Sequence, residues 1–343
     1  MASGSSRQFA PCSTCSASDG ALTVRDVLRI ATRGSPLARL QAERVGAILA
    51  TRTGDAPRTG DATHTDDRAF ELVIVKTRGD VETAMPLSSL GGQGVFVKEV
   101  QQAVLEGSAD IAVHSAKDLP SAAVVGLVIG CVPERADPRD AMVGKLLDDL
   151  APGATVATGS PRRRAQLASL RPDLSFCELR GNIAGRIERA EAAGAGVMAL
   201  AALERLGLAH KVAGVLEPCD MLPQVGQGAL AVECRADDDE LLELLAGADD
   251  AVAHRQLDAE RAWLASIGGG CSAPVAAFAQ PVPGEPGVLT LEGMIASYDG
   301  RIVLRRSSKG SDPAELGRRL ATELLSVAGG SVLDEWAEPG TEP

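Results

Sequence analysis

Residues 30–41 read IATRGSPLARLQ, and residues 156–167 read VATGSPRRRAQL. Each stretch starts as an apolar strand, passes through Gly-Ser-Pro and continues with helical spacing. Ser35 and Ser160 suit the N-cap, where a hydroxyl oxygen can accept a backbone N–H. Pro36 and Pro161 suit the first helical position, where the absent N–H is not missed. A helix start leaves unpaired N–H groups and a partial positive charge, which together attract anions. Both turns also carry arginine: Arg33 in the first, and Arg162, Arg163 and Arg164 in the second. Either turn alone reads equally well as a capped helix with solvated basic residues. Two copies, opening two similar halves of the chain, predict a pair of anion-binding lips facing one cleft. Open α/β sheets place ligands at the carboxyl ends of their strands, where these turns would lie.

Working outward, apolar runs alternate with helical patterns. VLRIAT, FELVIVKT, ADIAVHS and GLVIGCV read as strands, with helices between them in SPLARLQAERVGAILATR and VFVKEVQQAVLEG. A second series begins near residue 150. It runs through ATVATGS, PRRRAQLASL, LSFCELRGN, IAGRIERAEAA and GVMALAAL, the last read as a buried strand, and GALAVECR is strand-like again. This βαβ alternation predicts mostly parallel sheets with helices on both faces. DDAVAHRQLDAERAWLAS is an amphipathic helix. After residue 271 come two or three strands and a helix introduced by Asp312 and Pro313.

Composition narrows the function. The chain has 343 residues and a net charge of −12, which argues against nucleic-acid binding through neutralised phosphates. Aromatic residues make up only 2%, too few for base-stacking platforms. No apolar run is long enough for a membrane span. The seven cysteines are scattered and odd in number, so a reducing cytosol is the expected setting. Cys12 and Cys15 form an isolated C-x-x-C with no second ligand pair, and no metal site is expected. The Ser-, Gly- and Ala-rich residues 1–27 are expected to be disordered, with a short transit segment as the alternative.

In so acidic a chain, arginines concentrated at strand-to-helix junctions suggest carboxylate or phosphate recognition; singly, each would pass for a surface ion pair. Arg180, Arg186 and Arg205 join the two turns in this pattern. The strand DIAVHS ends in Lys117 and Asp118. A carboxylate beside a cation stays ionised, and in a cleft it can stabilise a developing cation or move protons. On local evidence the pair could equally close a turn, and His114 reads as a packed strand residue. SIGGGCSAPV (266–275) places Cys271 after three glycines and close before a proline, a setting in which a thiol is reachable.

The motifs LRIATRGSPLA, KTRGD, FVKE, DIAVHSAKDLP, ERADPRDA, TGSPRRRAQL, LRGN, LPQVGQGALAVECR and GGGCSAPV follow the order seen in the porphobilinogen deaminase (hydroxymethylbilane synthase) family, which the chain resembles over residues 28–335. The resemblance implies two α/β domains like type II periplasmic binding proteins with a central cleft, plus a smaller C-terminal α+β domain. The expected division is 28–135 plus 223–247 for the first domain, 136–222 for the second and 248–343 for the third. It also implies the reaction: four porphobilinogens joined head to tail with loss of ammonia, giving linear hydroxymethylbilane for tetrapyrrole (heme) synthesis. The primer would be a dipyrromethane cofactor held through a thioether by Cys271.

Each pyrrole carries an acetate and a propionate, so the resemblance implies cationic holders. Arg33, Ser35, Lys117, Thr158, Ser160, Arg162, Arg163, Arg180, Asn182, Arg186 and Arg205 would bind cofactor and substrate. Asp118 would be catalytic, and Asp80 and Lys98 would belong to the lid and cofactor-loop region. Gln93 stands where the family often has lysine, which removes one basic residue over the cleft. The expected partner is porphobilinogen alone, with no nucleic acid or membrane, acting on a cytoplasmic monomer. The alternatives are a non-catalytic anion binder of the same fold, which would need neither Cys271 nor Asp118, and an unrelated thiol enzyme, which would want a histidine beside Cys271.

Overall fold

The computed structural model describes residues 27–52, 70–77, 97–268, 273–331 and 333. Cys12, Cys15 and the polar loop at 53–68 lie outside the described residues. Strand β1 (Leu28–Arg33) enters helix α1 (Pro36–Arg52) through the first Gly-Ser-Pro turn. The strand β2 (Phe70–Val75), helix α2 (Lys98–Leu105), and strands β3 (Ile111–Ser115) and β4 (Leu127–Cys131) follow. The chain then leaves this sheet. Its second series holds β5 (Asp140–Val143), β6 (Thr155–Ala157), α3 (Pro161–Leu170), β7 (Ser175–Cys177), α4 (Ile183–Ala193), β8 (Ala195–Ala199), α5 (Leu200–Arg205) and β9 (Val212–Leu216). It returns in β10 (Leu230–Arg235) and α6 (Asp239–Ala246). A long helix α7 (Ala251–Ile267), three strands β11 (Val275–Pro281), β12 (Leu289–Ala296) and β13 (Val303–Gly310), and helix α8 (Pro313–Thr322) complete it.

The first sheet has the order β2-β1-β3-β10-β4 and the second β7-β6-β8-β5-β9. In the first, β1 lies parallel to β2 and β3, while β10 runs antiparallel to both its neighbours. In the second, β6 lies parallel to β7 and β8, while β5 runs antiparallel to β8 and β9. The two topologies are the same, and this is the two-lobed, type II periplasmic-binding-protein-like arrangement expected from the repeat and the resemblance. In each sheet the antiparallel strand is the one that follows an interlobe crossing. Covered on both faces, the inner strands are apolar nearly throughout. Ile30 packs with Val45, Leu49 and Leu245 on one face, and Ala31 with Val100 and Val104 on the other.

The two crossing segments, 132–139 and 217–229, lie against each other. Ala136 N donates to Gly228 O at 3.2 Å. Gly228 has a φ of +86°, and a Cβ there would come within 2.3 Å of Ala136 O, so only glycine allows this approach. The third sheet, β11-β12-β13, is antiparallel and packs on α7 and α8 around the fully buried Trp263. Glu260 of α7 joins this unit to the crossings. It pairs with Arg135 through two short bonds (2.7 and 3.1 Å) and accepts from Gly226 N (2.7 Å) and Ala279 N (2.9 Å).

Three local expectations change. GVMALAAL is strand only to Ala199, because the β5 ladder ends where Asp140 pairs with Ala199; Leu200–Arg205 is then helical and buries Leu200 and Leu203. Strands β5 and β9 carried no strand reading. The first has four residues directly after the charged segment ERADPR, and the second is interrupted by Gly214. The last helix ends at Thr322 and passes into a π-helical turn over Glu323–Val327.

Glu260 is wholly buried, so removing its charge leaves Arg135 without its partner and weakens two backbone contacts. Glu260→Gln should lower stability by about 3 kcal/mol, within the range for breaking one side of a buried pair. Urea unfolding followed by circular dichroism checks this, and a midpoint equal to wild type would contradict it.

Candidate active site

The two Gly-Ser-Pro turns behave as their chemistry requires. Ser160, extended at φ −103° and ψ 116°, caps α3 by accepting from Arg163 N at 3.5 Å. Ser35 Oγ accepts from Ala38 N at 3.3 Å. Thr158 is buried and holds its turn by donating from its N to Cys177 O (2.9 Å) and accepting from Ser160 N (3.3 Å). Between the two lips stands a single 3-10 turn, Ala116–Asp118, that continues β3.

A cavity lies to either side of that turn. The first, of about 440 Å³ and open to solvent, is lined by Lys117, Ser160, Arg162 and Arg261 against an apolar wall that includes Leu264 and Ala273. The second, of about 420 Å³, is lined by Arg33, Ser35, Gln41, His114, Ser115 and Asp118, among others. Helix α7 ends at Gly268, in the left-handed region at φ +73°, and β11 begins at Val275. The chain therefore leaves one residue that flanks the first cavity's wall and re-enters at another. Cys271 lies between them, outside the described residues, as do Asp80 and Gln93.

The first cavity is strongly positive. Arg162 is 2% exposed, and its Nε and Nη2 find no hydrogen-bond partner among the described residues. Its Nη1 donates to Leu222 O and lies 2.8 Å from Asp140 Oδ2. Arg163 approaches the same carboxylate, with Nη2 at 2.8 Å and Nε at 3.1 Å from Oδ1. Burial alone would raise the Asp140 pKa, but Arg162 and Arg163 hold it well below the carboxylate range. Burial pushes the Lys117 ammonium down to about 8, with Arg163 and Arg162 adding to the push and Asp118 and Asp140 opposing it. Burial also lowers Arg162, Arg186 and Arg261.

Arg33, Ser35 and Asp118 thus gather at one cavity, and Lys117, Ser160 and Arg162 at the other. Arg163 stands behind Arg162, and its second branch donates to Val197 O at 3.1 Å. Arg186 is half-buried and within electrostatic reach of Arg163 and Asp118. The remaining expected residues line neither cavity. Arg180 lies 3.3 Å from Glu178 at the surface. Asn182 caps α4 by accepting from Gly185 N. Lys98 is exposed in the first turn of α2. Arg205 donates to Gly228 O at 2.7 Å, on the crossing segment.

Sequence reading missed Arg261, Asp140 and Gln41. Arg261 lies in mid-helix, away from any strand-to-helix junction. Gln41 sits one turn inside α1 and donates to Ser115 Oγ at 3.0 Å, a contact visible only once β3 lies beside α1. The signal for Asp140 was an acid placed just after a proline-containing crossing, within ERADPRDA.

Residues 28–243 match the family model described as "Porphobilinogen deaminase, dipyromethane cofactor binding domain", and residues 255–326 match its C-terminal domain. The chain belongs to the porphobilinogen deaminase family. Among curated porphobilinogen deaminases, that of Syntrophus aciditrophicus is 42% identical over 91% of this chain and 99% of its own. That of Roseiflexus castenholzii is 44% identical over 90% and 99%. That of Roseiflexus sp. (strain RS-1) is 47% identical over 76% and 86%. Porphobilinogen deaminases are transferases, and the cofactor of the matched domain is a dipyrromethane. Its fit can be judged from the cavity itself. A group bearing two carboxylates on each ring suits a cavity lined by Lys117, Arg162 and Arg261, where a buried guanidinium has two nitrogens without a partner among the described residues.

Lys117 carries its charge below pH 8 and loses it above. Binding of an acidic substrate should therefore weaken as pH rises through about 8. The KM for porphobilinogen should climb on that alkaline side, and Lys117→Met should flatten the climb. A wild-type profile with no change in KM between pH 7 and 9 would contradict the assignment.

Proposed function

We propose that the chain is a hydroxymethylbilane synthase that joins four porphobilinogens head to tail on a dipyrromethane held through a thioether at Cys271. The observation that carries this reading is the cation-lined cavity between the lips, whose wall includes Leu264 and Ala273 on either side of the Cys271 loop. Cys271 stands two residues before Ala273. When bound, the dipyrromethane supplies the pyrrole carbon to which the first porphobilinogen is joined. Lys117, Ser160, Arg162 and Arg261 hold its carboxylates, with Arg163 and Arg186 adding positive potential behind them.

The second cavity takes the incoming porphobilinogen, whose carboxylates lie within the positive potential of the first cavity across the shared Ala116–Asp118 turn, so both cavities bear on its KM. Arg33 and Ser35 bind its acetate and propionate, and Gln41 supplies a neutral polar contact. The aminomethyl C–N bond breaks, and ammonia leaves with the bonding pair. Asp118, on the turn between the cavities, faces the resulting methylene-pyrrole cation and lowers its energy as a fixed counter-charge. Asp118 would then take up the proton released on coupling. Thr158 and Asn182 hold the turns that carry the binding residues. Arg180 and Lys98 belong in this reading to the periphery, where the longer chain is accommodated, and Arg205 holds the crossing through Gly228 O. The reading includes a cytoplasmic monomer.

The intact mass of the purified protein should exceed the sequence mass by two porphobilinogens less two ammonias, and Cys271→Ser should remove the excess. Asp118→Asn should keep the adduct but lower kcat by about 10²–10⁴-fold, the usual contribution of a positioned acid–base group. A wild-type mass equal to the sequence mass would overturn the reading.

A further inference from the structure

Asp140 opens β5, the first regular residues after the chain has crossed from one sheet to the other. It is wholly buried, and one carboxylate serves two guanidinium groups there, so the cluster of three keeps a net positive charge. A pair built only for stability would be neutral. Here the excess cation is Arg162, which lines the first cavity and has two nitrogens without a partner among the described residues. The direction of that guanidinium is fixed from behind, by Asp140 Oδ2 and Leu222 O.

A fourth group ties the cluster to the crossings. Gln227 Nε2 donates to Asp140 Oδ1 at 2.9 Å and to Pro138 O at 2.7 Å. Gln227 belongs to the returning segment and Pro138 to the outgoing one, so one side chain spans both. The same segment reaches the first cavity, since Gln224 lines it and donates to Lys117 O at 3.3 Å. We infer that Asp140 is a positioning residue: it sets the directions of Arg162 and Arg163 toward the acidic ligand and, through Gln227, makes those directions depend on the geometry of the interlobe crossing. The inference rests on reading the first cavity as the dipyrromethane site. It supplies a route by which rotation of the lobes would alter the grip on a lengthening acidic chain without any cation leaving the cleft.

The charge has a second effect. Lys117 faces Asp118 on its own turn, Asp140 at the start of β5, Arg162 and Arg163 on α3, and Arg261 across the cavity. Neutralising Asp140 removes one of the two carboxylates that keep the Lys117 ammonium protonated, so its charge should be lost at lower pH.

The test uses the full-length protein carrying its adduct, confirmed by mass. Asp140→Asn keeps the shape and removes the charge. It should raise the KM for porphobilinogen about ten-fold or more, as expected for losing charged hydrogen bonds. It should lower kcat by a smaller factor and move the alkaline limb of the KM profile down by about one pH unit. Loss of folding alone would lower apparent kcat at unchanged KM and an unmoved limb, and that result overturns the inference. Should Asp140→Asn fail to fold, Gln227→Met serves, because it keeps every charge and removes the link between crossings. It should raise KM about three-fold with the limb unmoved, and a wild-type KM would overturn the inference. A wild type lacking the adduct would instead defeat the reading of the cavity itself.

Discussion

Positive charge packed where water is scarce is the constraint from which the rest of the structure follows. Lys117, Arg162, Arg163, Arg186 and Arg261 crowd one edge of an interlobe cleft, and burial acts against the charge of each one for which a shift is resolved. Asp118 and Asp140, with Glu233 and Asp258 near Arg261, leave these five cations in excess. Such a cluster is costly unless an acidic ligand completes it. A ligand that gains two carboxylates with each added ring meets that need increasingly well as it grows. The protein as a whole is acidic, with a net charge of −12, so the positive cleft is local and set against a repelling exterior.

The fold places these cations by exchanging one strand between two equal sheets. Each exchanged strand runs antiparallel and follows directly on a crossing. The crossings are pinned to each other by the Ala136–Gly228 approach and to the third sheet by Glu260. Motion of one lobe therefore acts on two short segments, and the unit that carries the Cys271 loop is anchored at the same place. Asp140 and Gln227 make the arginines of α3 part of that mechanical centre.

Much of this was legible in the residues. The repeated Gly-Ser-Pro turn disclosed two similar α/β halves because capping and proline preferences act within a few residues of sequence. Helices 161–170 and 183–193 were readable for the same reason. Strands β5 and β9 were not, because four buried residues, or five broken by a glycine, carry too little periodicity. At the site, Arg33, Ser35, Lys117, Asp118, Ser160 and Arg162 were visible as charged or capping residues at strand ends. Asp140, Gln41 and Arg261 were not, since their roles arise from contacts across sheets or from a helix in the third unit. Arg205 and Asn182 show the converse: a residue type suited to binding anions can instead hold a crossing or cap a helix.

The central claim is that the acidic oligopyrrole occupies the cleft between the lips while tethered through sulfur. A crystal structure of the purified protein treated with porphobilinogen tests it most directly. The account predicts continuous electron density from Cys271 Sγ into the cavity lined by Lys117, Ser160, Arg162 and Arg261, with ring carboxylates within hydrogen-bond distance of Arg162. Density that ends at an unmodified thiol, or pyrrole rings bound outside that cavity, would contradict it.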